Sequence, residues 1–199
     1  MAVQQRQVPA RGRGNGEDGS PSERPLRPKN TRQLLLASEV PSWLATNPFL
    51  LTGYRPVYGS VSLCLDSLTF VHNETVNIYS HLIPAIIALA SNYFLNQYWS
   101  ERYPTASFAD QLAIHAYLTT SVLCFGISSL YHTLDCHSQA LSGLWNRFDY
   151  AAIILQTVGS FVSGIYITFY CIPHLQKLYW TMVRSLLPLS SPFGIDGCR

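Results

Sequence analysis

The sequence carries little charge for its length. Of its 199 residues only 12% are Asp, Glu, Lys or Arg, about half of the roughly 25% found in ordinary globular domains. The formal net charge of +2 is too small to indicate a nucleic-acid partner. Because 48% of the residues are hydrophobic, the composition excludes a disordered protein and argues against an ordinary soluble domain.

Paired cysteine motifs are also missing. The five cysteines include no C-x-x-C pair, and their odd number provides no disulfide framework. Two of them lie within long apolar runs, where a thiol behaves as a small hydrophobic group.

Long uncharged runs dominate the second half of the chain. The ranges 77–99, 111–131 and 150–172 contain no Asp, Glu, Lys or Arg. At about 1.5 Å per residue, each range can cross a hydrocarbon core of about 30 Å as a helix. A fourth apolar run begins at Leu178, but Arg184 and the prolines beyond it interrupt the run. The sequence therefore predicts an all-α integral membrane protein with three transmembrane helices and a partial fourth.

The remaining regions have different compositions. Residues 1–38 are rich in Gly, Pro and Arg and predict a disordered cytosolic tail. Residues 39–75 form a juxtamembrane segment, in which apolar residues at helical spacing predict a short interfacial helix over 54–72. The predicted transmembrane domain covers 76–183, and a Pro- and Ser-rich end of different character follows over 184–199.

Basic residues predict the orientation. Eight of the thirteen Lys and Arg precede the first span, whereas the loop 100–110 holds only Arg102 beside Glu101 and Asp110. The positive-inside bias therefore places the amino terminus in the cytosol. We expect a multi-pass protein of the plasma membrane or the endoplasmic reticulum.

Six polar residues fall near one predicted edge of the membrane. They are Glu74, Asn77, His81, Ser128, His132 and Asp149. The first three share a helix face at spacing i, i+3 and i+7, and Ser128 and His132 lie one turn apart. Two interpretations remain open. The residues form a polar cap that ties the helices together, or they form a site in which a histidine beside a carboxylate binds a metal.

The other histidines have no partners at ligand spacing. His115 lies about 25 Å along the helix from His132 and belongs to the opposite membrane face. His72, His137 and His174 are predicted to be interfacial.

Two motifs carry a family resemblance. Glu74-Thr-Val-Asn77-Ile-Tyr-Ser-His81 resembles the E-x-x-N-x-x-x-H motif of the progestin and adipoQ receptors, a group that includes haemolysin-III-like proteins and adiponectin receptors. The segment from Ser128 through His132 to Ser138, followed by Asp149-Tyr150, resembles the second motif of that family. The resemblance covers roughly residues 39–182.

This resemblance implies a seven-helix fold, of which the chain carries the first half. It implies a zinc-dependent receptor or lipid-amide hydrolase in lipid signalling, with the lipid bilayer and a lipid substrate or ligand as partners. It assigns His132 as a zinc ligand, Asp149 as the carboxylate that orients the zinc-bound water, and Ser128 as a nearby polar residue.

The chain departs from the family pattern at the remaining zinc ligands. The family supplies them from an H-x-x-x-H motif, which this sequence lacks. We therefore expect a truncated member that is inactive on its own. The alternatives are a non-catalytic membrane protein that associates with full-length relatives, and a structural membrane protein.

Overall fold

The computed structural model describes residues 32–186, most of which are helical. The strands and helices of this part of the chain, in order, are β1 (Leu35–Leu36), β2 (Thr52–Tyr54), α1 (Val61–Asp66), α2 (Thr75–Arg102), α3 (Phe108–Leu134), α4 (Gln139–Thr168) and α5 (Pro173–Leu186). Short 3-10 turns over Ala37–Glu39 and Ser67–Thr69 lie between them.

The three longest helices confirm the predicted all-α membrane fold. α2, α3 and α4 are each long and apolar enough to cross a membrane. The third differs from the predicted span 150–172, since it begins at Gln139 and ends at Thr168. Beyond Thr168 the backbone turns, and Pro173 begins α5.

α3 lies between its two neighbours and packs against both α2 and α4. Small buried residues line its contact with α4 and allow close approach. The Ser163 hydroxyl of α4 donates a hydrogen bond to the carbonyl of Ala113 in α3. Gln156 Nε2 likewise donates to Ser121 Oγ at 3.0 Å. Polar side chains therefore join the two helices at two levels.

Serine residues begin the second and third long helices. Ser107 and Asp110 form a capping box, in which the Ser107 side chain accepts from the Asp110 backbone N–H and the Asp110 carboxylate accepts from that of Ser107. The Ser138 side chain accepts from the N–H of Leu141 at the start of α4. Each helix pair is joined by only four or five residues, so consecutive helices run antiparallel and their ends meet.

The segment before α2 packs under the turn between α3 and α4. Backbone N–H groups of Tyr58 and Gly59 donate to the carbonyls of Cys136 and His137 at 2.9 and 3.0 Å. Cys64 of α1, together with Leu134 and Cys136, then forms a small buried cluster. This contact fixes the juxtamembrane segment against one end of the helices.

The structure corrects one sequence-based prediction for this segment. The prediction of a helix over 54–72 is wrong, because α1 covers only Val61–Asp66 and a 3-10 turn follows it. Gly59 has φ of 62°, outside the helical region, so the helix does not extend back through this residue.

The predicted terminal regions are described only in part. Within the tail predicted to be disordered, Leu35–Leu36 instead pairs with β2 as an antiparallel strand. Residues 1–31 of that tail, and 187–199 of the predicted divergent end, lie outside the described residues.

Candidate functional site

The predicted site residues gather where α2 begins, α3 ends and α4 begins. We call this end of the helices the His132 end. Glu74 is the residue before α2, and His132 lies in the last turn of α3. Because α2 and α3 are antiparallel neighbours, residues 58 positions apart become direct partners.

The central contact joins an imidazole and a carboxylate. His132 Nδ1 lies 2.9 Å from Glu74 Oε2, and both side chains are largely buried. An ionised carboxylate only accepts hydrogen bonds, so Nδ1 carries the proton in this contact. Nε2 of a neutral His132 ring is then a bare nitrogen, and it has no hydrogen-bond partner among residues 32–186.

Two amides support the same carboxylate. Asn77 Nδ2 donates to Glu74 Oε2, and Asn73 Nδ2 donates to Oε1, both at 2.8 Å. Burial raises the pKa of Glu74, but the hydrogen bonds from His132 and Asn77 outweigh it and hold the pKa below its usual value. Glu74 is therefore ionised at neutral pH, as the proton position on His132 requires.

A second histidine stands beside the first. His81 Nδ1 lies 2.7 Å from Ser128 Oγ, and the rings of His81 and His132 meet edge to face with centroids 5.8 Å apart. The structure thus brings five of the six predicted residues into one connected cluster: Glu74, Asn77, His81, Ser128 and His132.

Asp149 is not tied into the cluster by hydrogen bonds. It lies half-buried on α4. In the part of the chain that the structure describes, its carboxylate has no hydrogen-bond donor. Its oxygens are therefore available to a water molecule or to a ligand.

Sequence reasoning missed the role of Arg55. This residue is 1% exposed, and its guanidinium donates to the carbonyl of His132 at 2.6 Å and to that of Thr133 at 3.0 Å. It also donates to Ser67 Oγ at 2.9 Å. The last carbonyls of a helix lack intrahelical partners, so Arg55 caps α3 at the residue that carries the imidazole.

A faint signal for Arg55 was present in the sequence. It is the sole basic residue between Arg32 and the first span, and Pro56 follows it. That isolation sets it apart from the basic residues of the tail, but nothing local indicates a partner more than 70 positions away.

His72 supports the site from a position just before α2. It is buried, and its Nδ1 accepts the backbone N–H of Glu74 at 3.1 Å. Burial, followed by the nearby charge of Arg55, lowers the pKa of His72 to about 4. His72 is therefore neutral at physiological pH and serves to fix the residue before α2.

The described residues satisfy part of a zinc site. His132 offers one bare nitrogen, held by a carboxylate on its other nitrogen, which is the usual arrangement of a histidine that binds metal. Residues 32–186 contain no group of three or more His, Cys, Asp or Glu placed to hold a metal ion. The donor set thus fits one ligand and its orienting partner, not a complete site.

Comparison with known proteins places the chain in a family. The family model described as haemolysin-III related matches residues 69–190, more than half of the chain. The chain belongs to the haemolysin-III-related family. This match includes all six predicted site residues.

Several curated proteins resemble this haemolysin-III-related chain. An adiponectin receptor protein of Drosophila melanogaster is 35% identical over 156 residues, covering 76% of this chain and 33% of the relative. A progestin and adipoQ receptor-like protein of Caenorhabditis elegans is 34% identical, covering 77% and 35%. An ADIPOR-like receptor of Saccharomyces cerevisiae is 32% identical over 180 residues, covering 87% and 56%. The chain thus spans between a third and just over half of these relatives.

Proposed function

We propose that this chain forms the first half of an adiponectin-receptor-like membrane protein in which His132 is a zinc ligand. The contact between Glu74 and His132 Nδ1 carries the proposal, because it leaves Nε2 bare and holds the ring in one orientation. Arg55 supports the same ligand through its backbone, since it binds the His132 carbonyl.

The reaction proposed for the complete protein is hydrolysis of a lipid amide. His132, together with ligands from outside the described residues, would hold a zinc ion, and that ion would supply a Lewis acid that makes water more acidic. Asp149, whose carboxylate has no donor among the described residues, would accept a proton from water. Ser128 holds the His81 ring beside His132 and so shapes the polar wall of the site.

The orientation of the chain in the membrane determines where a substrate would meet the proposed site. The excess of Lys and Arg before the first span supports a cytosolic amino terminus. The His132 end would then lie at the cytosolic edge of the bilayer, where the polar group of a lipid meets water. A lipid substrate can reach this position from the membrane, and signalling through such a lipid is the proposed biological role.

The same reasoning predicts weak zinc binding by this chain alone. Stable zinc sites use three or four protein ligands, and residues 32–186 bring together fewer. After dialysis of the purified chain in detergent, elemental analysis should find well under one zinc per molecule, and no lipid-amide hydrolysis. Titrated zinc should still bind weakly, and His132→Ala should abolish that binding.

His174→Ala is the matched control, since His174 is exposed on α5 and far along the chain from the cluster. It should leave the weak binding unchanged. Near-stoichiometric zinc that disappears in His132→Ala would show that the chain, alone or as an oligomer, completes the site. Weak binding that survives His132→Ala would overturn the assignment of His132.

A second candidate function is association with full-length relatives. α2 packs against α3 but leaves Ile83, Ile86 and Ile87 more than half exposed. Such a face suits contact with another helix as well as with lipid. Co-purification of the tagged chain with a co-expressed relative tests this, and a triple Ile→Asn variant should lose the partner if this face carries the contact.

A further inference from the structure

A cavity of about 460 Å³ lies at the opposite end of the helices from His132. The end of α2, the start of α3 and the end of α4 line it, together with the connection between α2 and α3. Its size is within the range of about 300–1,000 Å³ typical of small-molecule pockets. Trp99, which lines it, is also the last residue of the first candidate span.

Aromatic rings form much of the cavity wall. Trp99 and Tyr103 meet with centroids 6.1 Å apart and planes at 70°. Tyr166 and Tyr170 meet at 5.6 Å and 79°. In each of these edge-to-face pairs the two rings differ in orientation, so the wall contains rings in several orientations, whose faces carry partial negative charge.

One carboxylate adds a full negative charge. Asp110 lines the cavity, and none of the lining residues in the described part of the chain is basic. Its Oδ1 accepts from the Tyr166 hydroxyl at 2.7 Å. Its Oδ2 accepts from the backbone N–H and the hydroxyl of Ser107, both at 2.8 Å. Both oxygens are therefore committed to protein donors, although the charge remains.

The combination of aromatic rings with one hydrogen-bonded carboxylate favours some kinds of cation over others. A primary ammonium loses water on entry and needs three hydrogen-bond acceptors in return, but three of the roughly four lone-pair sites of Asp110 already accept from protein donors. A quaternary ammonium has no N–H group and is stabilised by aromatic faces and by a nearby negative charge.

We propose that this cavity binds the trimethylammonium group of a phosphocholine lipid headgroup. The position of Trp99 at the end of a span places the cavity at headgroup depth, which favours a lipid over a dissolved choline compound. This proposal does not depend on zinc or on hydrolysis, because none of its residues belongs to the His132 end.

The test compares two short-chain lipids that differ in the headgroup amine. The full chain is purified in a maltoside detergent, and its affinity for short-chain phosphatidylcholine and phosphatidylethanolamine is measured by thermophoresis. Phosphatidylcholine should bind at least about tenfold more tightly, because the primary ammonium of phosphatidylethanolamine gives up water that the few acceptors of the cavity do not replace. Equal affinities would overturn the proposal. Free phosphocholine should bind far more weakly, and equal binding would overturn the assignment to a lipid.

Single substitutions test whether phosphatidylcholine binds in this cavity. Trp99→Leu and Tyr170→Leu should each weaken phosphatidylcholine binding about tenfold, and Asp110→Asn should weaken it while keeping an acceptor for Tyr166. Tyr93→Leu is the matched control, since Tyr93 is an exposed aromatic residue of α2 outside the lining and its ring packs against Phe94. A loss in Tyr93→Leu equal to that in Trp99→Leu would overturn the proposal. Because Asp110 also caps α3, thermal unfolding is compared for every variant, and Tyr170→Leu decides the outcome if Asp110→Asn unfolds.

Discussion

At the residue scale, the orientation of His132 depends on side chains from two other parts of the sequence. Glu74 holds the imidazole from the start of α2, and Arg55 holds the backbone of the same residue from the juxtamembrane segment. His72 fixes Glu74 in turn by accepting its N–H. The ring is therefore held on the side of Nδ1, and Nε2 is the nitrogen left for a ligand.

Glu74→Ala should destabilise the chain more than Asp149→Ala. Removing Glu74 leaves donors of His132, Asn77 and Asn73 without their acceptor, at a cost of about 1–3 kcal/mol. Asp149 accepts no hydrogen bond from the described residues, so its loss should cost under about 0.5 kcal/mol, as for surface changes away from such contacts. Thermal unfolding in detergent measures both. A smaller loss for Glu74→Ala than for Asp149→Ala would contradict this account.

Arg55→Lys should lower the free energy of unfolding by about 2–3 kcal/mol, because hydrogen bonds to charged groups are each worth about 1.5–3 kcal/mol. A lysine ammonium is a single point and cannot reproduce a planar fork that reaches Ser67 and two carbonyls. Arg32→Lys is the control, since the ion pair of Arg32 with Asp66 at 3.5 Å is exposed. The control should change stability by less than about 0.5 kcal/mol.

Contacts within one helix were predictable at this scale, and contacts between distant segments were not. The i, i+3 spacing indicated that Glu74 and Asn77 share a face, and Asn77 does bind Glu74. The contact of Arg55 with the carbonyls of α3 joins residues 77 and 78 positions apart. No periodic pattern encodes such a pair, because it arises only when the juxtamembrane segment folds under the helices.

At the scale of elements, the contact between α3 and α4 depends on the absence of a side chain at Gly159. A Cβ at this position would overlap the side chain of Thr120 in α3. Small residues such as Gly159 and Gly164 are visible in the sequence of this helix and suit close packing, but the sequence does not show which of them faces α3.

Gly159→Ala should separate the two helices and cost about 1–3 kcal/mol, as overpacking does in protein cores. Gly164→Ala is the control from the same helix, because a Cβ there has no atom within 4 Å. Adding Thr120→Ala to Gly159→Ala should restore part of the loss. Equal effects of the two glycine variants in thermal unfolding would contradict the packing described above.

The helix bounds show where hydropathy alone fails. Uncharged runs located all three long helices, because burial in lipid requires long apolar stretches. Hydropathy missed the first turns of α4, since Arg147 and Asp149 are charged yet helical. The uncharged run is therefore shorter than the helix, because charged residues lie within the helix at the His132 end.

At the scale of the whole molecule, the two ends of the helices differ in chemistry. One end gathers Glu74, His81 and His132, and the other holds an aromatic cavity with Asp110. The charge distribution predicts that the first end is cytosolic and the second faces the lumen or exterior. The two sites would then meet different compartments and different leaflets of the bilayer.

Glycosylation mapping tests this orientation. An acceptor site engineered into the amino-terminal tail, well clear of the membrane, should stay unmodified. An acceptor carried on a spacer inserted within the loop 100–110 should be glycosylated. If the tail is glycosylated and the loop is not, the orientation is the reverse of the one predicted, and the His132 end lies on the opposite side of the membrane.

The most direct test of the account is the nitrogen spectrum of His132 before and after zinc. In protein labelled with ¹⁵N-histidine, at a pH above the range in which imidazoles protonate, His132 should carry a proton on Nδ1 and none on Nε2. Added zinc should then shift the Nε2 signal of His132, assigned by its loss in His132→Ala. A proton on Nε2, or a zinc response confined to other histidines, would contradict the claim that Glu74 holds His132 ready to bind metal.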